Sequence, residues 1–363
     1  MMRRKKSHFA RTLLILLALL VAAEITGRSA GAPTLPPDPA FIEAREWSYP
    51  DWIEKDAELF WRYRPSRTID GSFLKPGRYT INAKGYRGPD FTPEKRDSVT
   101  RIVCLGESST FGLSVSDEAV WPRQLEKNLN ALDPQKRRWE VLNLGVTNYS
   151  TFQGVRLARE EFPRLKPDIV LFCFSWADHQ PAADGMNDYG IDVGADWQVG
   201  LVNLLNRSAL FRWAQVGWAM VVPPQTPAES SPGFDQRRVP STEFSENVER
   251  ITREAFAVGA RPVMVTSPIS WPPPGLTDIS GIFHVHHRYR RLARFGAIAA
   301  GGEFVELANA FDDYPRFYDD RKSGNELFNA QGHAFAGEFL ARYILGDTTI
   351  MAKFGSQVYT EGR

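Results

Sequence analysis

Ile102-Val103-Cys104-Leu105-Gly106-Glu107-Ser108-Ser109-Thr110-Phe111-Gly112 is the stretch that decides the fold. An apolar β-run stops at Gly106 and delivers Ser108 onto a tight turn, with a helix to follow. In a parallel α/β sheet the reactive groups gather at the carboxyl ends of the strands, so a serine placed there faces the ligand crevice. A Ser/Thr-rich helix cap would read the same way in isolation. The rest of the chain has to separate the two.

Outward from this stretch the pattern alternates strand and helix. Arg101 to Leu105 reads as a strand, Val120 to Leu132 as a helix, Glu140 to Leu144 as a strand, Phe152 to Leu165 as a helix and Asp168 to Phe174 as a strand. Each strand is a continuous apolar run, as expected when helices cover both faces. After a break the series resumes with a helix from Thr242 to Val258, a strand from Pro262 to Thr266 and a helix from Phe283 to Ala300. A strand from Phe304 to Ala308 and a closing helix from Ala330 to Ile344 complete it. Five parallel strands with right-handed crossovers predict an α/β fold, a three-layer α/β/α sandwich of flavodoxin-like type.

Four blocks, taken in order, resemble the SGNH hydrolases (GDSL esterases and lipases). Gly106-Glu107-Ser108-Ser109-Thr110 matches the family's Gly-Asp-Ser-x-Thr with Glu for Asp. Asn143-Leu144-Gly145-Val146-Thr147-Asn148-Tyr149-Ser150 resembles the second block, and Leu171 to His179 the third, with Ala177 where the family has Asn. Asn329-Ala330-Gln331-Gly332-His333-Ala334 resembles the start of the helix after the fifth block, but Gly324 and Leu327 stand where the family has its Asp and His. The resemblance covers roughly residues 75 to 345. It implies Ser108 as nucleophile, the backbone amides of Ser108 and Gly145 as oxyanion donors, and Trp176, Asp178 and Asn148 as binding residues.

Acyl transfer by a serine needs a base, a group that orients the base, and donors aimed at the oxyanion. Ala177 removes one donor, a loss on the order of a hundred- to a thousand-fold in rate. Leu327 removes the base, which in a serine triad is worth roughly a million-fold. The substitute expected in the crevice is His179, beside Asp178 and just past the third strand; its alternative is a structural histidine. His333 reads as a helix-packing residue. His284, His286 and His287 lead into Arg288, Arg290, Arg291 and Arg294, a basic helix face with no carboxylate or fourth ligand to suit a metal. Asp319 and Asp320 read as a solvated acidic loop. Cys104 and Cys173 lie inside apolar strand runs and read as buried thiols. No metal or cofactor is expected.

Residues 180–240 form an insertion after the third strand, with two apolar segments, Trp197 to Leu205 and Leu210 to Trp218. It is expected above the crevice as a lid that packs locally, closes on an acyl group, or meets a membrane or partner. The run from Pro223 to Gln236 reads as a solvated return. Residues 33–98 are a Pro-rich linker (Pro33, Pro36, Pro37, Pro39) and an aromatic collar, helical or irregular over 41–74, then an edge strand near Gly77 to Asn82. The sandwich domain runs over 99–346, and 347–363 is a tail.

Met-Met-Arg-Arg-Lys-Lys precedes the apolar run Thr12 to Ala23. That run is shorter than the roughly 20 residues of a spanning helix. Residues 1–32 therefore read as an export signal, with Ala30-Gly31-Ala32 before an obstructive Pro33, or as a retained amino-terminal anchor. The basic head stays cytoplasmic and the body outside. The formal net charge of +1 offers no general polyanion surface, which argues against nucleic acid as a partner. Two readings stand: a silent SGNH-like binding or assembly component of the envelope, or an esterase or acyltransferase on acylated glycan or lipid.

Overall fold

The apolar runs pair as expected in a computed structural model that describes residues 2–31, 52–70, 78–113, 115–182, 186–221, 236–270, 281–312, 315–318, 327–347 and 358–359. In chain order the strands are β1 (Ile53–Asp56), β2 (Phe60–Tyr63), β3 (Arg67–Asp70), β4 (Arg78–Ile81), β5 (Val99–Gly106), β6 (Arg138–Gly145), β7 (Ile169–Cys173), β8 (Arg261–Val265), β9 (Glu303–Val305) and β10 (Val358–Tyr359). The helices are α1 (Met2–Ser29), α2 (Ser108–Phe111), α3 (Trp121–Leu132), α4 (Thr151–Leu165), α5 (Asp196–Leu205), α6 (Ala209–Val221), α7 (Ser241–Ala257), α8 (Ile282–Ala299), α9 (Leu307–Asp312) and α10 (Ala330–Ile344).

Strands β6-β5-β7-β8-β9 form a parallel sheet in that spatial order, and the short β10 adds antiparallel to β9. In sequence terms the parallel core runs 2-1-3-4-5, the flavodoxin-like order. Its topological switch point lies between β5 and β7, where ligands of such sheets bind. Successive residues of β5 serve opposite faces. Val103 and Leu105 join Phe162, Phe244 and Tyr289 on one side, while Ile102 and Cys104 join Leu125, Leu129 and Leu340 on the other. This two-sided burial is why the strands are apolar without alternation. Both cysteines are buried.

Two expectations need correction. The collar is a pair of antiparallel hairpins, β1–β2 and β3–β4, instead of a helical segment. Its aromatics are buried against the core: Phe60 stacks on Phe152 at 5.2 Å, Trp61 meets Tyr149 at 5.4 Å and Tyr63 meets Phe111 at 5.1 Å. The last parallel strand stops at Val305, because Leu307 and Ala308 already belong to α9, where the Ala308 N–H bonds Thr266 Oγ1. The helices of the insertion pack locally, α5 on β1 and α6 on α1. The linker at 33–39, the return at 223–235, and Asp319, Asp320 and Gly324 lie outside the described residues.

Candidate functional site

Gly106 ends β5 where three backbones converge. A Cβ there would lie 2.3 Å from Thr110 Oγ1 and 2.5 Å from the Cys173 carbonyl oxygen, so only glycine fits between β7 and α2. The chain then turns through Glu107, the extended N-cap residue of α2, and places Ser108 at the carboxyl edge of the sheet. Ser108 is 7% exposed. Its hydroxyl oxygen accepts a hydrogen bond from the Asn148 N–H at 3.2 Å, its partner among the described residues.

The donor facing the serine is therefore Asn148, where the sequence pointed to Gly145. The Gly145 N–H is committed to Asn143 Oδ1 at 2.9 Å. Glycine is required at 145 for a different reason: a Cβ would sit 2.4 Å from the Phe111 nitrogen. Asn148 has φ 60, the left-handed conformation in which an N–H can turn toward a neighbouring strand end and which asparagine tolerates better than most residues. Behind it, Tyr63 Oη accepts the Thr147 N–H at 3.1 Å and lies 2.7 Å from Thr147 Oγ1. In front, Arg238 donates through Nη1 to both the Asn148 carbonyl and Oδ1 at 2.9 Å, and forms an ion pair with Asp188 at 3.0 Å. The root of the insertion thus grips the donor loop.

Glu107 clasps the third block. Its Oε1 accepts the N–H groups of Ser175 at 3.0 Å and Trp176 at 2.9 Å, and its Oε2 accepts that of Ala177 at 2.6 Å. Asp178 Oδ1 accepts the Thr151 N–H at 2.8 Å at the start of α4, whereas Oδ2 is buried with no hydrogen-bond partner among the described residues. Burial, opposed by the Thr151 bonds, pushes the Asp178 carboxyl from its ordinary 3.8 up to about 7. Asp178 and the Trp176 backbone thus serve the loop itself.

His179 does not meet Ser108. Its Nε2 lies 3.1 Å from His286 Nδ1, and His286 Nε2 lies 3.0 Å from the Ser267 carbonyl. Because that carbonyl can only accept, His286 donates from Nε2, which leaves its Nδ1 to accept from His179 Nε2–H. The Trp176 and Tyr289 rings close on His179 at 5.1 and 5.6 Å. Burial holds its pKa at about 3, so the imidazole is a fixed neutral packing element instead of the displaced base. His333 accepts the Trp121 N–H on Nδ1 at 3.1 Å, capping α3, and burial likewise lowers its pKa. Leu327, at the family's histidine position, packs against the apolar cluster on one face of the sheet.

Sequence reasoning missed the Glu107 clasp and the Asp188–Arg238 grip. It also missed the capping box at Ser150 and Gln153, whose Ser-x-x-Gln spacing was visible. No family model matches the chain, and no curated protein matches it. Solved structures do. An α/β hydrolase enzyme from the metagenome of Lake Arreo, Spain, aligns at 14% identity and TM-score 0.43, over 70% of this chain and 98% of that one. The lipase/acylhydrolase from Enterococcus faecalis aligns at 15% and 0.42, over 72% and 99%. A variant of an acetyl xylan esterase from Geobacillus stearothermophilus aligns at 13% and 0.43, over 70% and 97%. The likeness is one of fold.

Proposed function

We propose that this chain is an exported SGNH-hydrolase-like protein with a silent serine centre, acting as a binding or assembly component toward acylated glycan or lipid of the cell envelope. The observation that carries the reading is the partner of Ser108 Oγ among the described residues: a backbone N–H that occupies an oxygen lone pair, with no hydrogen bond to an imidazole. An N–H donated into the hydroxyl withdraws electron density from the atom that would attack. With Leu327 in the apolar cluster and His179 tied to His286, the base described above is missing among the described residues, a deficit on the order of a million-fold. The ligand class comes from the family resemblance, and export from the basic head and apolar run of residues 1–32.

The Asn148 N–H at 3.2 Å favours a second reading, because the same donor could bind an oxyanion in an esterase or O-acyltransferase working through Ser108. One experiment separates them. The full-length protein is incubated with a fluorophosphonate probe and with short-chain aryl esters, beside Ser108→Ala. The silent reading expects no labelling and no difference in hydrolysis; labelling that vanishes in Ser108→Ala overturns it.

A further inference from the structure

Helix α1 is joined to the folded body by contacts that a removable leader would take away with it. Glu24 caps the start of α6: Oε1 accepts the Ala209 N–H at 2.9 Å, and Oε2 accepts the Leu210 N–H at 3.1 Å and the Ser208 hydroxyl at 2.8 Å. One turn on, Gly27 lets the two helices touch. A Cβ on Gly27 would lie 3.1 Å from the buried Ala209 Cβ and 3.5 Å from Trp213 Cδ1. Arg28 adds a bond to the Arg207 carbonyl. Upstream of this seam, Leu13 to Val21 of α1 projects away from the body with its large apolar side chains more than half exposed.

The neighbouring helix α5 is amphipathic in an inverted sense. Val199 and Val202 face inward, and Asn203 exchanges two hydrogen bonds at 2.8 Å with the Lys55 main chain in β1. Outward, Trp197, Leu201, Leu204 and Leu205 fall at i, i+4, i+7 and i+8, one face of a helix. They are exposed by 69, 47, 60 and 37%. Trp213, 43% exposed, lies at the α1 seam. A soluble surface rarely gathers such residues in one patch, whereas indoles beside an apolar helix are what a membrane interface selects.

We propose that α1 is retained as a membrane anchor and that α5 and the start of α6 form a foot lying in the outer surface of the same phospholipid bilayer, its orientation fixed by the Glu24 cap. The occupant of the stripe is lipid because the turn that follows α5 is bonded directly to α1, through Arg207, Ser208 and Ala209. Residues 7–23 make about 26 Å of helix at about 1.5 Å per residue against a hydrocarbon core of about 30 Å; the fully apolar part is Thr12 to Ala23, and Arg11 reaches back along its own stem to the near headgroups. The seam at Glu24 and Gly27 then falls at the far headgroup level, where an ionisable cap and Trp213 both belong. The proposal goes beyond the reading of Ser108 and does not depend on it.

The test uses the full chain reconstituted in phosphatidylcholine–phosphatidylglycerol vesicles with and without brominated acyl chains. The emission lost in Trp197→Phe, a mild change at an exposed position, reports that indole alone. Brominated lipid is expected to quench this contribution, and Glu24→Ala, which uncouples α6 from α1, is expected to reduce the quenching. Intact mass should place the mature amino terminus ahead of α1. The proposal is overturned if aqueous iodide quenches Trp197 and bromolipid does not. It is equally overturned if neither quenches, as when a second copy covers the stripe, if Glu24→Ala changes nothing, or if the mature chain begins after residue 30.

Discussion

Replacing Glu107 by Gln tests whether one buried carboxyl group holds the third block in place. Glu107 is fully buried, and its two oxygens receive three backbone N–H groups from Ser175, Trp176 and Ala177. Gln keeps an oxygen for the two bonds at Oε1 but sets an NH2 group against the Ala177 N–H, so one bond is lost and two donors face each other. A buried donor left unsatisfied costs about 1–3 kcal/mol, and hydrogen bonds to a charged acceptor exceed neutral ones by a further increment. The expected destabilisation is about 2–3 kcal/mol for Gln. For Glu107→Ala, which abandons all three donors and opens a void, about 4–6 kcal/mol is expected. Against a total of about 5–15 kcal/mol, the alanine variant approaches the limit of folding. Calorimetry of the full-length protein in detergent should show the Gln variant melting roughly 5 °C lower, at about 2 °C per kcal/mol for a domain this large. A Gln variant that melts within about 1 °C of wild type would refute the clasp, since the buried Ala177 N–H cannot lose its acceptor without a measurable penalty.

Two further variants probe the same rim, and a third on α5 serves as the control. The raised Asp178 pKa means that the folded state holds the proton more tightly than the unfolded chain. Its contribution is therefore complete below about pH 4, declines as the pH rises toward about 7, and is flat above. Asp178→Asn should abolish that slope and be the more stable protein at pH 8, by up to about 4 kcal/mol for a shift of about three units; urea unfolding at three pH values checks this, and parallel profiles would contradict it. For Gly106→Ala, the Cβ would collide with the Cys173 carbonyl at 2.5 Å, and no soluble folded protein is expected, whereas Gly200→Ala on α5 meets nothing within 4 Å and should express normally. Size-exclusion profiles of the two decide the point.

Continuous apolar runs made the parallel sheet legible, and helix ends at α4, α7 and α8 fall within a residue or so of where capping and periodicity put them. The site was legible only in part. Gly145 looked like the oxyanion donor because a glycine in a loop motif suggests an exposed amide; close packing against α2 demands the same residue, and sequence alone does not distinguish the two causes. Asn148 carried a fainter signal, an asparagine just ahead of the Ser150 cap. His179 sits in sequence beside Asp178, yet its ring turns toward His286, which is 107 positions away, so no local pattern foretold a neutral pair. Likewise the aromatic collar could not be read as hairpins, since its strands are stabilised by Phe111, Tyr149 and Phe152 of distant segments.

Those hairpins move the starting line of the autonomous folding unit. A fragment cut at the first parallel strand would strip the indole and phenol rings from the rear of the Asn148 loop and leave Phe111, Tyr149 and Phe152 facing water. It would also sever the Tyr63 tether on Thr147 and the Arg87 guanidinium, which reaches the Phe111 and Val115 carbonyls at 2.6 Å. During synthesis the amino-terminal hairpins emerge first and must wait for their docking wall, so truncations, tags and soluble expression boundaries belong ahead of Trp52, upstream of the core that motif matching alone would select.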